Sequence, residues 1–285
     1  MMNRRSFLGA VAATVVAQRM DLFGREHQLS TIGMQLYTVR NQMQQDFEGT
    51  IGKVAAIGYK EVEFAGYFNH TPEQVKGILD RNNLKSPSTH IPLADLRNKL
   101  SETIETSHKI GHEYIIMPWV DKEGRGALDS WKKLAAFMNE TGKKVKEAGL
   151  QLGYHNHNFE FKPTDGQIPY DVLLAETDPN LVKMEMDLRW ITSAGHDPLQ
   201  YFNKYPGRFP LVHVKDMPNK PNPPEYDVVG AKFTEVGRGT VNFKRVFAQA
   251  DKGGVQHYLV EQDETAGSPF DSLKVSYDYL KQLRF

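Results

Sequence analysis

The chain has 285 residues, 40% of them hydrophobic and 25% charged, a globular composition long enough to bury a sizeable core as one large barrel or two smaller domains. Lys plus Arg and Asp plus Glu number 35 each, so no net basic field gathers nucleic acid, and that class of partner is set aside. The cysteine count is 0, which excludes disulfides, thiolate zinc sites and cysteine nucleophiles.

The first feature along the chain is Asn3-Arg4-Arg5-Ser6-Phe7-Leu8-Gly9, followed by the apolar run Ala10 to Ala17. It resembles a twin-arginine export signal, and the run is too short to span a bilayer as a stable helix. Residues 1–27 are read as an export segment implying a periplasmic location, and residues 28–285 as the folded unit; an ordinary amphipathic start is the alternative. No stable membrane span is expected, and oligomerisation stays open.

Beyond the leader, eight short β-branched or apolar runs alternate with segments of helical period: Ile32 to Val39, Tyr59 to Ala65, Ser86 to Leu93, Glu113 to Trp119, Gln151 to Asn158, Val182 to Trp190, Phe209 to Met217 and His257 to Asp263. Thr71-Pro72-Glu73 opens a helix with Pro just inside a Thr cap, and Gly111 and Gly149 end two others. Asp129 to Ala148 places Trp131, Leu134, Ala135, Met138 and Val145 on one apolar face. The alternation predicts an α/β fold, a single (β/α)8 TIM barrel, with an open doubly wound sheet as the alternative. The Pro- and Gly-rich stretch from Pro218 to Gly239 follows the seventh strand and is expected on the face where barrels hold their active sites.

On these strands, metal-ligand residue types gather at the carboxyl ends: His90 on the third, His155 and His157 on the fifth, Asp187 on the sixth, His213 on the seventh and Glu261 on the eighth. A lone His or Asp at a strand end is more often a satisfied hydrogen-bonding residue. Asp187, His213 and Glu261, however, end three consecutive strands, and neighbouring strands lie about 4.8 Å apart, so three such groups can meet around one ion. Oxygen and nitrogen ligation without sulfur suits Mn²⁺, Mg²⁺, Co²⁺ or Zn²⁺. Around this set, His157 shares the face of His155 and can orient substrate or relay a proton. Lys215 shares the face of His213 and can stabilise an oxyanion. Glu63 is a candidate acid or base, His90 a candidate substrate contact, and Trp119 and Trp190 candidate stacking surfaces for a sugar ring. Each also has a bland reading as a core or ion-pair residue. Gly237-Arg238-Gly239 lacks the spacing of a nucleotide loop.

Ile32-Gly33-Met34-Gln35-Leu36-Tyr37, the segment from Tyr154 to Phe161, Met186-Asp187-Leu188-Arg189-Trp190, Val212-His213-Val214-Lys215-Asp216 and Val260-Glu261-Gln262-Asp263 together resemble the sugar phosphate isomerase/epimerase family of the xylose isomerase-like barrels. The resemblance runs from about Ile32 to the end of the chain. It implies a divalent metal held from the fifth to eighth strands, with Asp187, His213 and Glu261 matching the sixth, seventh and eighth positions. At the fifth position this chain has His155 where ketose epimerases have a glutamate, and its His-rich segment is closer to that of inosose dehydratases. His155 and Glu160 compete as the fourth ligand.

The expected activity is metal-dependent isomerisation, epimerisation or elimination on a small sugar or keto-sugar through an enediolate, with Glu261 or a His as base. Two other classes compete with it: an endonuclease IV-like phosphodiesterase, against which the neutral charge counts, and a non-enzymatic exported sugar-binding protein. Export favours an unphosphorylated carbohydrate partner.

Overall fold

The computed structural model describes residues 26–285, so the export segment read over residues 1–27 lies outside the described residues except for its last two positions. The strands are β1 (Gly33–Gln35), β2 (Glu61–Phe64), β3 (Lys85–His90), β4 (Tyr114–Met117), β5 (Gln151–His155), β6 (Val182–Asp187), β7 (Leu211–Val214) and β8 (His257–Val260). They pair in parallel and in sequence order, and β1 also pairs with β8, which closes the barrel. Helices occupy the connections, as parallel neighbours require a crossover. The open-sheet alternative is thereby excluded.

Local chemistry accounts for the helix boundaries. Thr71 caps the helix Pro72–Arg81 through a reciprocal pair with Gln74, and Gly111 takes the left-handed conformation that ends Leu100–Ile110. The helix Leu128–Glu147 buries Trp131, Leu134, Ala135, Met138 and Val145 against the barrel, as its period predicts. Four strands stop short of the apolar runs that mark them. Leu36 to Val39 turns into a 3₁₀ helix after β1, and Leu188 to Ser193 is a helix begun by the Asp187 side chain, which accepts the Trp190 N–H. Trp190 therefore projects from a helix and not from the end of β6. Likewise β5 stops at His155 and β8 at Val260, so His157 and Glu261 stand on the loops that leave those strands.

Strand alternation separates two apolar regions. Met34, Val62, Ile115, Leu152, Met184, Val212 and Val260 face the helices and belong to the main core. Ile116, Leu211 and Leu259 form a separate small cluster on the opposite strand face, inside the barrel. Gly33 and Gly153 make room for it: a Cβ on Gly33 would come within 2.7 Å of Leu259 Cδ2, and one on Gly153 within 2.4 Å of Ile116 Cδ1.

The segment from Pro218 to Gly239 carries no helix or strand and is clamped at its base by Asp216. That carboxylate accepts backbone N–H groups from Met217, Gly237, Gly239 and Val241 at 2.9–3.1 Å. Gly237 has φ +89°, and a Cβ there would strike the Tyr279 ring at 2.3 Å, so this glycine pair serves the loop's return and the packing of the last helix.

Candidate active site and metal centre

Above the Ile116–Leu211–Leu259 cluster, the inward positions of the same strands become polar. Gln35, Glu63, His155, Glu185, Asp187, His213 and Glu261 are all buried there, and Glu63, Glu185, Asp187 and His213 have no exposed surface. Register brings them level, because His155 pairs with Glu185 across β5–β6 and Asp187 with His213 across β6–β7.

Ligand atoms of His155, Asp187, His213 and Glu261 lie within 4.8 Å of one another, and so do those of His90, His155, Glu185 and His213. His213 Nδ1 is 2.7 Å from Glu261 Oε2. Asp187 Oδ2 is buried with no hydrogen bond, although Lys215 Nζ is 3.2 Å away. Four buried N and O donors with an orphaned carboxylate oxygen among them fit a divalent cation.

Lys215 is buried beside this group, 2.7 Å from Glu261 Oε2 and 2.7 Å from Asp263 Oδ1. Burial disfavours its charge, but Asp187, Asp263 and Glu261 outweigh that and hold the ammonium protonated. In the same way Lys215 and His213 overcome burial and keep the Glu261 carboxyl well below the usual carboxylate range. Burial and the Lys215 charge together keep His157 neutral, and its Nδ1 is buried without a partner.

A cavity of about 580 Å³ opens over these groups. One wall is the Trp119 ring, edge-on to His157 at 4.8 Å, with the Arg125 guanidinium 4.1 Å from its centre. The other is Trp190, backed by Phe233 of the 218–239 loop at 5.7 Å and by the buried Arg189 guanidinium at 3.9 Å. Arg189 also donates to the Lys232 carbonyl, which ties the loop to this wall.

Most of the residues singled out from sequence meet here. His90, Trp119, His155, His157, Trp190, Lys215 and Glu261 line the cavity, with Asp187 and His213 joining the ligand groups beneath it. Glu63 lies below that floor, 2.7 Å from His213 Nε2, and is not among the lining residues. Glu160 is in neither ligand group. Its two oxygens accept the Tyr154 hydroxyl at 2.6 Å and the His157 backbone N–H at 2.9 Å, and since Tyr154 faces the outer core, so does this carboxyl. Burial lifts it to about 7. Of the two candidate fourth ligands, the geometry therefore brings in His155. Sequence reading passed over Glu185, Asp263 and Gln35. Glu185 was accessible by parity, standing two residues before Asp187 on the same face of β6.

The fold and this arrangement define the class. The model of the xylose isomerase-like TIM barrel family matches residues 51–283, and the chain belongs to that family. It is 27% identical over 266 residues to the inosose dehydratase of Lacticaseibacillus casei, a match covering 82% of this chain and 88% of that one. The structure of a sugar phosphate isomerase/epimerase from Parabacteroides distasonis ATCC 8503 superposes with a TM-score of 0.75 at 26% identity, over 89% of this chain and 98% of that one. A probable 3-DHS dehydratase of petrobactin synthesis from Bacillus anthracis shares the fold, with a TM-score of 0.68 at 14% identity over 88% and 98% of the two chains. The chain is a sugar isomerase/epimerase-like enzyme. No helix among the described residues is long and apolar enough to cross a membrane.

Proposed function

We propose that this enzyme removes water from a small polyhydroxy ketone of the inosose kind, taking a proton from the carbon beside the carbonyl. The supporting observation is the placement of a neutral imidazole with a free Nδ1, His157, and a fixed ammonium, Lys215, at one cavity between two tryptophans. The dehydratase relative supports elimination over the other outcomes of the same proton transfer.

A divalent ion held by His155, Asp187, His213 and Glu261 would supply Lewis acidity toward the carbonyl oxygen. The chain's own groups do the rest. Trp119 and Trp190 orient the ring between apolar faces and keep bulk water from it. His157 accepts the α-proton, and the electron pair left behind forms the enediolate, whose charge Lys215 faces without itself giving up a proton. The imidazolium then protonates the β-hydroxyl, the carbon–oxygen bond breaks, water leaves, and His157 is neutral again. Reprotonation at carbon from the same state would isomerise or epimerise instead. The leader motif supports export and with it an unphosphorylated substrate.

The test is turnover of an inosose by the manganese-loaded enzyme in D₂O, followed by the absorbance of the conjugated product and by mass. Expected are loss of one water and a fall in kcat of about 10²- to 10⁴-fold in His157→Asn with manganese content unchanged. Deuterated starting ketone without water loss would replace dehydration by epimerisation or isomerisation. Unaltered kcat in the variant would remove His157 from the proton transfer.

A further inference from the structure

Below the proposed site lies a second group that this reaction leaves unused. Glu63 Oε2 is 2.7 Å from His213 Nε2, 3.1 Å from His90 Nε2 and 2.7 Å from Gln35 Nε2. Glu185 Oε2 is 2.8 Å from His90 Nε2, 3.0 Å from His155 Nδ1 and 3.2 Å from His213 Nε2. One oxygen of each carboxylate is crowded by three nitrogens, while the other, Oε1, is buried with no hydrogen-bond partner.

Hydrogen bonding alone accounts poorly for this. An imidazole nitrogen carries at most one N–H, yet His90 Nε2 and His213 Nε2 each face the same two carboxylate oxygens. Donors bound to one small cation at about 2.0–2.2 Å stand roughly 3 Å apart, which is the spacing these atoms show. Charge points the same way. Glu63, Glu185, Asp187, Glu261 and Asp263 converge on the mouth with Lys215 as the ammonium bonded among them, a formal charge of −4 with neutral histidines. One dication leaves −2, and a second neutralises the group. Unneutralised charge at this depth is costly.

We propose that Glu63, His90 and Glu185 hold a second divalent cation beneath the first, with the His213 ring between the two. Its Nδ1 faces Glu261 and its Nε2 faces Glu63 and Glu185. His155 Nδ1 donates to Glu185, which leaves its Nε2 for the upper ion. The mixed O and N donors suit Mn²⁺, Co²⁺ or Zn²⁺. Glu63, His90 and Glu185 stand outside the upper group of four, so the two sites can be tested apart.

The full chain, stripped with chelator, is reloaded separately with Mn²⁺, Co²⁺ and Zn²⁺, and bound metal per chain is measured by elemental analysis, with electron paramagnetic resonance for manganese. Expected are two ions per chain and an exchange-coupled manganese spectrum. Glu63→Gln and Glu185→Gln, near-isosteric changes, should each hold one ion with an isolated six-line spectrum, and Asp187→Asn should lose the upper ion but keep one. A single ion in the unaltered protein with all three metals overturns the second site and leaves the first. No bound ion overturns both. The unaltered protein decides the question even where a variant fails to fold.

Discussion

The barrel interior contains two layers of opposite character a few residues apart on the same strands. The lower layer is apolar, with Leu211 and Leu259 packed on Ile116 and Gly33 and Gly153 making the space. Two positions on, β7 and β8 reach His213 and Glu261, and β5 passes from Gly153 to His155. The lower layer is fixed by shape, and its side chains are satisfied by one another. The upper layer packs like charges and orphaned oxygens together, an arrangement that is unfavourable without a counter-ion and retained for chemistry. Stability and function are thus separated along one strand direction, as TIM barrels divide their two faces.

The largest expected effect breaks the upper layer. Asp187→Asn, His213→Ala and Glu261→Ala should each lose the upper bound ion and reduce activity by about 10²- to 10³-fold or more, since Lewis-acid stabilisation is worth several kcal/mol. Asp187→Asn keeps the oxygen that caps Trp190 while removing a buried charge, so the metal-free variant should melt no lower than the metal-free parent. Calorimetry of both forms checks this, and a large drop in melting temperature would mean the upper layer also carries the fold.

The lower layer should behave in reverse. Leu259→Ala empties a fully buried position and should cost about 2–5 kcal/mol of stability with kcat per folded molecule nearly unchanged. Denaturant unfolding and active-site titration separate the two quantities. An equal loss of kcat would show that the layers are mechanically coupled.

Glu160 sharpens the comparison from outside the barrel. Its folded-state value of about 7, against 4.5 for a free carboxyl, means that the folded chain keeps a proton the unfolded chain has lost. Stability from this group therefore falls as pH rises from about 4.5 to 7, and the full cost, roughly 3 kcal/mol at most, is present above 7. Glu160→Gln can still accept the His157 N–H and can donate to Tyr154, so it should flatten this dependence and melt higher than the parent at pH 8. Parallel melting curves from pH 5 to 8 would refute the assignment.

The sequence made the eight strands and the capped helices legible because alternation, the Thr71 cap and Gly111 are local signals. Strand ends were less so. Leu188 to Trp190 continues an apolar run, but the Asp187 cap turns it into a helix, a contact that hydropathy does not register. At the site, Asp187, His213 and Glu261 stood out because they close consecutive apolar strands. Glu185 was hidden between Met184 and Met186, although parity places it with Asp187. Glu160 was drawn into the candidate set by its nearness to His155 in sequence. The 3₁₀ turn Phe159–Phe161 directs it to Tyr154 instead, on the outward face where Tyr154 points. Which side chains converge across the barrel is a matter of closure and register, and these are long-range properties.

The smallest expected effect concerns how tightly the lower layer is fitted. A methyl group on Gly33 would meet Leu259 Cδ2 at 2.7 Å, Glu61 Cβ at 3.0 Å and the Glu61 carbonyl at 3.3 Å. Overpacking of this kind costs about 1–3 kcal/mol, so Gly33→Ala alone should destabilise the fold without touching the ligand groups. In a Leu259→Ala background the closest of those three contacts is gone, and the added methyl occupies part of the space left by the leucine. The double variant should then be more stable than the sum of the two single losses, by a coupling of about 1 kcal/mol. Strict additivity in a denaturant-unfolding cycle would mean that Glu61 and the backbone, and not Leu259, limit the space at Gly33. The lower layer would then be set by strand approach at β1–β2 instead of by side-chain fit across the barrel.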